Sequence, residues 1–263
     1  MHSILIVGCG NMGGAMLAGW LAGGIEPSRF TVVDPVLPAA PAGVTLLREL
    51  PDASFDAILL GVKPQLLGEV APRLSALAGP GTLVLSILAG AGLASLAARF
   101  PNAGGIVRIM PNLAAAIGKS PVALAGSGLS GAQREAVSAL MAPLGTPEWM
   151  DDEGLFDAIT ALVGSGPAFV YRFIDALAGA GAALGLPAAQ AGRFATAMVE
   201  GSALLAAASE HSPGELANRV ASPGGTTRKG LDVLDADDAL ARLVLATLTA
   251  ARDRGAELAR EAG

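Results

Sequence analysis

The sequence predicts an α/β dinucleotide-binding domain followed by an all-helical domain. Three observations support this prediction. The apolar run Ile4–Val7 leads into a glycine-rich turn and then a helical pattern. Further apolar strands alternate with helical patterns over the first half of the chain. Near Asp151 the strand signals stop and an alanine-rich helical pattern takes over. We therefore expect a first domain over residues 1–150 and a second over residues 151–263.

The composition restricts the class of function. The chain has 263 residues, of which 52% are hydrophobic and 15% charged, and a formal net charge of −6. This charge argues against a nucleic-acid partner. The single cysteine, Cys9, excludes an internal disulfide and suits a reducing compartment. The longest uncharged stretch, Leu74–Ala98, is interrupted by glycine and proline, and the N-terminus lacks a signal-peptide pattern. We expect a soluble, cytoplasmic protein without a membrane span.

The glycine-rich turn occupies residues 8–13, directly after the first strand and before a helical pattern. In a Rossmann-type unit, the first glycine permits the tight turn and the second lets the backbone approach the pyrophosphate. The third glycine allows close packing of helix and strand. The turn therefore predicts a bound NAD(P), with contacts from Gly8, Gly10, Asn11, Met12 and Gly13.

Asp34 ends the second predicted strand, 21 residues beyond Gly13. At this position a carboxylate accepts a hydrogen bond from the ribose 2′-hydroxyl, and it repels a 2′-phosphate. Residues 35–41 contain no basic side chain to compensate. The local chemistry therefore favours NADH.

Later strands are apolar throughout, which is typical of a parallel sheet covered on both faces. They are expected near residues 57–62, 82–88, 106–110, 122–125 and 148–150. Ligands of such a sheet lie beyond the carboxyl ends of the strands. Those ends carry Gly61–Pro64, the Ala89–Gly90 turn and Met110–Asn112.

A second anion-binding pattern lies late in the chain, in the stretch Leu216–Asp235. Its centre is Ser222-Pro223-Gly224-Gly225-Thr226-Thr227, and a helical pattern resumes with Leu231. Paired glycines let several backbone N–H groups converge, and a helix N-terminus adds its dipole. The apolar surroundings favour a small carboxylate over a polyphosphate as the ligand.

This stretch resembles the signature of the pyrroline-5-carboxylate reductase family, whose members reduce a cyclic imine to proline. The segment Gly164–Ala168 and the later Gly185-Leu186-Pro187 resemble the second domain of the same family. The resemblance implies NADPH or NADH as the cofactor, the former being common in the family. It also implies homodimers formed through the helical domain, and larger rings of such dimers.

The resemblance further implies the roles of single residues. Thr227 aligns with the threonine near the ring nitrogen, which makes it the candidate catalytic hydrogen-bond donor. Glu210 matches an acidic residue near the substrate, with a solvated helix end as the alternative interpretation. The implied substrate-binding residues are Glu210, Ser222, Gly224, Gly225, Thr226 and Thr227. The implied further cofactor contacts are Val62, Lys63, Pro64, Ala89, Gly90 and Asn112.

Two departures from the family pattern stand out. Arg228–Lys229 occupy positions where less strongly basic residues are expected, and Leu113–Ala114 replace a Thr-Pro pair after Asn112. Both bear on contacts of the implied site.

The sequence leaves other functions open. A dehydrogenase of the β-hydroxyacid type needs a lysine on a helix of the second domain, and the only lysine after Asp151 is Lys229, beside the glycine loop. A reductase of another cyclic imine and a non-catalytic NAD(P)H-binding sensor are further alternatives. The sequence has no Cys/His cluster, so we expect no metal site.

Overall fold

The computed structural model describes residues 1–262, without the side chains of residues 258, 259, 261 and 262. The chain divides into two compact units. The first is Met1–Gly164 with the segment from Ala251 onward, and the second is Ser165–Ala250. Gly263, which ends the predicted helical domain, lies outside the described residues.

The first unit contains a single described sheet. Its strands are β1 (Ile4–Val7), β2 (Phe30–Val33), β3 (Thr45–Leu47), β4 (Ala57–Leu60), β5 (Leu83–Ser86), β6 (Gly105–Met110), β7 (Ser120–Ser127) and β8 (Gly145–Trp149). Their order across the sheet is β3-β2-β1-β4-β5-β6-β7-β8. Strands β1 to β6 are parallel, β7 is antiparallel to β6, and β8 is parallel to β7.

The sheet separates two hydrophobic cores, which explains the apolar strands. Ile4 and Ile6 of β1 belong to one core, whereas Leu5 and Val7 belong to the other. Successive side chains of a strand point to opposite faces, so a strand covered on both sides needs apolar residues at every position. The predicted α/β fold class is confirmed.

The helices of the first unit pack on these two faces. They are α1 (Asn11–Ala22), α2 (Leu67–Ser75), α3 (Leu93–Arg99), α4 (Gly131–Met141) and α5 (Phe156–Ile159). Trp20 of α1 stacks on Phe30 with ring centroids 5.3 Å apart, and its indole N–H donates to the carbonyl of Leu140 at 2.7 Å. Ser130 and Gln133 form a capping box that begins α4.

Two features of the sheet differ from the expectation. β3 was not predicted, because three residues are too few to show a periodic pattern. The prediction of a parallel sheet is wrong for β7 and β8, which run opposite to β1–β6. Residues 111–119, between β6 and β7, contain only the 3-10 helix Leu113–Ile117. A parallel crossover needs a dozen or more residues, so the chain turns back instead.

Residues 153–164 pack with the first unit. Phe156 is 1% exposed and shares a small core with Met110, Ala123 and Ala125. The predicted domain boundary, between residues 150 and 151, therefore lies N-terminal to the division between the two compact units. The segment ends in one turn of π-helix, Thr160–Gly164.

The second unit is helical. Its helices are α6 (Gly166–Ala183), α7 (Ala188–Ala208), α8 (Pro213–Arg219), α9 (Thr226–Asp235) and the first part of α10 (Ala239–Ala262). α10 begins directly after the 3-10 helix Ala236–Asp238. The capping box of Ser212 and Glu215 begins α8, and Pro213 occupies the first position of the helix.

Candidate active site

The glycine-rich turn joins the ends of β1 and β4 through direct backbone contact. Gly8 has a φ of +84°, and its N–H donates to the carbonyl of Val33 at 2.9 Å. A Cβ atom built on Gly8 would lie 2.8 Å from the backbone of Gly61 and of Val62. Only glycine satisfies both the left-handed conformation and this close approach.

The N-terminus of α1 presents unpaired donors. Gly10 caps the helix without a side-chain hydrogen bond, and the N–H of Gly14 donates to its carbonyl at 2.8 Å. The preceding N–H groups of Asn11, Met12 and Gly13 have no partner among the described residues. A Cβ built on Gly10 would meet nothing within 4 Å, so the space beside these donors is open. This geometry fits the pyrophosphate of a dinucleotide.

Asp34 binds the backbone rather than standing free at the strand end. Its Oδ2 accepts from the N–H of Cys9 at 2.9 Å, and its Oδ1 accepts from those of Val36 and Leu37, both at 2.9 Å. Burial raises the pKa of this carboxyl, but the three N–H donors and the nearby Arg48 outweigh burial and hold the pKa below its ordinary value. Asp34 therefore fixes the glycine turn as an ionised carboxylate.

Cys9, within the turn, is a packing residue. Its side chain is 6% exposed and belongs to the core beneath α1. Burial and then the charge of Asp34 raise the pKa of its thiol, which disfavours the reactive thiolate.

A basic side chain does lie beside Asp34, contrary to the expectation from residues 35–41. Nη1 of Arg48 donates to the carbonyl of Asp34 at 2.7 Å and to that of Leu37 at 2.6 Å. The parallel pairing of β2 with β3 places Arg48, which follows β3, next to the end of β2. Because β3 was not predicted, no sequence signal placed this arginine at the site.

Arg48 lines a cavity of about 290 Å³ beside the glycine turn. The walls come from the ends of β1 and β2, from the residues after β3 and β4, and from α2. Its members include Gly8, Val62 and the charged residues Arg48, Glu49, Glu69 and Arg73. The cavity suits the adenosine half of a dinucleotide whose pyrophosphate lies at α1.

Replacing Asp34 by asparagine tests its role as the anchor of the turn. Asparagine has one acceptor oxygen for three N–H donors and carries no charge. We expect Asp34→Asn to lower the free energy of unfolding by about 1–3 kcal/mol at neutral pH and to weaken NADH and NADPH binding together. Chemical denaturation of both proteins measures the first effect.

The pH dependence of that difference checks the cause. The folded pKa of Asp34 lies below the unfolded value of about 3.9, so its contribution is complete above that pH and is lost as the pH falls through the folded pKa. The stability difference between the wild type and Asp34→Asn should therefore shrink as the pH falls below about 4. A difference that stays constant over this range would contradict the ionised anchor.

The remaining predicted cofactor residues lie at the same edge of the sheet. Val62 lines the cavity. Lys63 is exposed, and Pro64 begins a short 3-10 helix. Ala89 is exposed, and Gly90 has a φ of +80° in the turn after β5. Their positions agree with a ligand beyond the carboxyl ends of the strands.

Asn112 has structural partners. Its Oδ1 accepts from the N–H of Ala114 at 2.9 Å, and its Nδ2 donates to the carbonyl of Val163 at 3.1 Å. Its own N–H donates to the hydroxyl of Ser120 at 2.9 Å. The side chain thus connects the end of β6 to the π-helical turn, a connection that no sequence signal indicated. Leu113, the first residue of the Leu113–Ala114 departure from the family pattern, is 54% exposed.

The glycine loop of the second unit forms the N-terminus of α9. Gly224 has a φ of +71°, and the N–H of Gly225 donates to the carbonyl of Ser222 at 2.9 Å. Gly225 caps the helix without a side-chain hydrogen bond. The N–H groups of Gly224, Thr226 and Thr227 have no partner among the described residues. Among the N–H groups of residues 224–227, that of Gly225 is therefore the one that already has a hydrogen-bond partner in the described chain.

Arg228 and Lys229, which depart from the family pattern, both have partners within the second unit. Nη2 of Arg228 donates to Oδ1 of Asn218 on α8 at 2.9 Å, and Nζ of Lys229 lies 3.7 Å from Oδ2 of Asp232. Arg228 thus connects the first turn of α9 to the end of α8, the two helices that flank the loop.

Glu210 lies between α7 and α8 and is exposed. The structure describes no hydrogen bond from its carboxylate to the glycine loop, so it does not join Glu210 to Ser222, Thr226 or Thr227. The neighbouring His211 lies 2.6 Å from Nη1 of Arg219.

Together, the Rossmann-type sheet, the glycine turn with its open donors and the appended helical unit define the class of NAD(P)H-dependent oxidoreductases with a separate helical domain. Residues 153–258 match the family model for pyrroline-5-carboxylate reductase dimerisation. The chain belongs to the pyrroline-5-carboxylate reductase family.

Individual relatives agree over nearly the full length. The chain is 35% identical to a pyrroline-5-carboxylate reductase of Pseudomonas aeruginosa, over 99% of this chain and 98% of the relative. It is 39% identical to one of Aquifex aeolicus, over 89% and 92%. A solved pyrroline-5-carboxylate reductase from Coxiella burnetii is similar with a TM-score of 0.89 and 29% identity, over 98% of both chains.

Proposed function

We propose that this protein reduces 1-pyrroline-5-carboxylate to proline with NADH or NADPH, the last step of proline biosynthesis. The observation that carries the proposal is the glycine loop at α9. It combines open backbone donors with three hydroxyls in a chain whose first unit has a dinucleotide cradle. A cofactor held at the glycine turn would supply the hydride for the imine carbon, and the protein binds and orients the imine.

The substrate carboxylate is held by the loop. The N–H groups of Gly224, Thr226 and Thr227 and the hydroxyl of Ser222 are the proposed donors. Three of them belong to or adjoin the first turn of α9, where the helix dipole adds to the attraction. Gly225 contributes its conformation, since its N–H is occupied by Ser222.

Thr227 is the proposed hydrogen-bond donor to the ring nitrogen. When hydride adds to the carbon, the C=N π bond breaks and its electron pair stays on nitrogen as the amine forms. A threonine hydroxyl is a weak acid, so Thr227 donates a hydrogen bond to the lone pair of the neutral imine and relays a proton to it from water, which gives the iminium that accepts the hydride. Glu210 is the proposed acidic residue near the substrate, and Thr227, which lies in the loop at the start of α9, is the primary candidate.

Thr227→Val tests this role, because valine keeps the shape and the β-branch but removes the hydroxyl. We expect kcat/KM for the imine to fall about tenfold. This is less than the roughly 10²–10³ lost with an oxyanion donor, because positive charge disappears from the iminium in the transition state. Thr227→Ser, which restores a hydroxyl, should recover most of the rate. Full activity of Thr227→Val would remove Thr227 from the mechanism.

The cofactor contacts are proposed on the first unit. The turn from Gly8 to Gly13 holds the pyrophosphate, and Asp34 fixes that turn. Further contacts come from the strand ends: Val62, Lys63, Pro64, Ala89, Gly90 and Asn112. For Asn112 the contact is proposed through the backbone around it, since its side-chain oxygen and nitrogen both have protein partners.

Homo-oligomerisation follows from the dimerisation domain. The second unit leaves many large apolar side chains exposed, including Tyr171, Phe173, Phe194, Leu204, Leu205, Leu243 and Leu245. α6 has no buried residue, and α7 has only Ala191 and Ala195. A helix that buries so little of its apolar surface needs a partner. We propose a homodimer through this helical domain, with rings of dimers as the larger assembly.

The same surface explains a membrane-like segment. By length and composition, Glu153–Ala183 is one helical stretch of the described chain apolar enough to cross a membrane, and 11% of its most apolar window is buried. Its exposed side chains coincide with the proposed dimer surface, and Arg172 and Asp175 lie within it. We propose that a second copy covers this surface and that the protein acts in the cytoplasm.

The test follows the loss of nicotinamide absorbance with purified protein and 1-pyrroline-5-carboxylate. Rapid oxidation that depends on the imine supports the proposal. Turnover only with a six-membered cyclic imine would move the assignment to another imine reductase. Cofactor binding without any turnover would indicate a sensor.

A further inference from the structure

The adenosine side of the nucleotide site carries opposing charges. Asp34 at the end of β2 taken alone disfavours NADPH, because an ionised carboxylate repels a 2′-phosphate. Arg48 lies against the same strand end and lines the adjoining cavity. Asp34 and Arg48 thus have opposite effects on the choice between NADPH and NADH.

The hydrogen bonds of Asp34 restrict its contacts with the cofactor. A carboxylate has about four lone-pair positions, and the N–H groups of Cys9, Val36 and Leu37 use three of them. The side chain is 7% exposed. Its hydrogen-bonding positions are thus mostly used by the glycine turn and by the residues after β2, which serve any dinucleotide equally.

The hydrogen bonds of Arg48 leave donors available. Both hydrogens of Nη1 are used by the carbonyls of Asp34 and Leu37, at 2.7 and 2.6 Å. Nη2 and Nε have no hydrogen-bond partner among the described residues. The two carbonyls therefore hold the plane of the guanidinium in place, and three N–H donors remain for a ligand. A planar, anchored guanidinium is suited to a phosphate group.

We propose that Arg48 is the specificity-determining residue that lets the site accept the 2′-phosphate of NADPH, while Asp34 holds the turn for both cofactors. The inference rests on the proposed function only in assuming a dinucleotide ligand. The protein then uses either cofactor, and Arg48 matters for one of them. Arg73 lines the same cavity from α2 but lacks the carbonyl anchors, which makes it the second basic residue to compare with Arg48.

The experiment measures binding by calorimetry with two probes that lack nicotinamide, 2′-phospho-ADP-ribose and ADP-ribose. We expect Arg48→Met to weaken binding of the phosphorylated probe by about 10- to 100-fold, as for the loss of hydrogen bonds between charged groups. Binding of ADP-ribose should change by less than about threefold. Arg73→Met should weaken binding of the phosphorylated probe less than Arg48→Met does, because Arg73 has no carbonyl anchors among the described residues.

The outcomes separate the possible roles of Arg48. Equal weakening of both probes by Arg48→Met would make it a loop anchor and overturn the proposal, as would an unchanged affinity for the phosphorylated probe. A selective loss in Arg73→Met instead would assign the phosphate to α2. If Arg48→Met fails to fold, Arg48→Lys serves, with a smaller selective loss expected because lysine keeps the charge and loses the planar fork.

Imine turnover plays no part in this measurement. A protein that binds both probes as expected and reduces no imine would retain the inference about Arg48 and lose the proposed reaction. The wild-type affinity for 2′-phospho-ADP-ribose should also fall more steeply with salt than that of Arg48→Met, which a purely structural arginine would not cause.

Discussion

Gly8→Ala is expected to abolish binding of both cofactors within the usable concentration range and to destabilise the first unit. At a φ of +84° an alanine costs about 1–2 kcal/mol in backbone conformation. Its Cβ would also lie 2.8 Å from backbone atoms of Gly61 and Val62. Those atoms belong to the end of a central strand and cannot swing aside, so overpacking adds about 1–3 kcal/mol.

The loss of binding follows from the same displacement. To admit the new methyl group, the ends of β1 and β4 must separate, and the turn before α1 moves with Gly8. The open N–H groups of Asn11, Met12 and Gly13 then no longer converge on the pyrophosphate. We expect the Kd for NADH and NADPH to rise by about 100-fold or more, since an error of about 1 Å in positioning has effects of this size.

Two other glycines of the same segment serve as controls. A Cβ on Gly10 meets nothing within 4 Å, so Gly10→Ala should keep the stability and lose binding by filling the space for the ligand. A Cβ on Gly14 comes no nearer than 3.9 Å to the carbonyl of Cys9, so Gly14→Ala should keep binding and gain up to about 1 kcal/mol. Thermal unfolding and cofactor titration of the three variants give the comparison. Normal cofactor affinity in Gly8→Ala would mean that the turn does not hold the pyrophosphate.

The sequence predicts those parts of the fold whose pattern is local. The glycine turn, the apolar strands and the start of α9 follow from spacing, because β1 is apolar at every position and both α1 and α9 begin directly after a glycine. The antiparallel β7 was also within reach, since residues 111–119 are too few for a parallel crossover. The apolar composition of β7 concealed it, because a buried strand is apolar in either direction.

Contacts between distant residues were not predictable in this way. Arg48 reaches Asp34 only because β3 pairs with β2, and a three-residue strand has no periodicity to detect. The bond from Asn112 to Val163 depends on the fold of a segment 51 residues away. The sequence alone does not show whether a polar side chain binds a ligand or another part of the chain. Asp34 is an example, because the expected ribose acceptor is bonded to the backbone.

The segment that follows the sheet depends on one partly buried ion pair. Nη1 of Arg108 on β6 lies 2.7 Å from Oε1 of Glu153, and the same oxygen accepts from the N–H of Leu93 at 2.7 Å. The Arg108 guanidinium also lies 4.4 Å from the centre of the Phe156 ring. The Arg108 side chain is 9% exposed, whereas the Glu153 side chain is 31% exposed. The two ends of the pair are therefore not equivalent.

Glu153→Ala should destabilise the protein more than Arg108→Met. The first leaves a buried guanidinium and the N–H of Leu93 without an acceptor, and removing one partner of a buried pair costs about 3–5 kcal/mol. We expect about 2–4 kcal/mol here, because the carboxylate is partly exposed. Arg108→Met leaves Glu153 bonded to Leu93 and in contact with water, so we expect about 1–2 kcal/mol.

Urea unfolding of both variants and of the double mutant measures these costs. Because the residues share one hydrogen bond, the double mutant should be more stable than the sum of the single changes predicts. Glu153→Gln separates the two functions of Glu153: its amide oxygen still accepts from Leu93, so only the unpaired charge of Arg108 remains. If Arg108→Met proves the more damaging change, the cation over Phe156 stabilises the segment rather than the ion pair.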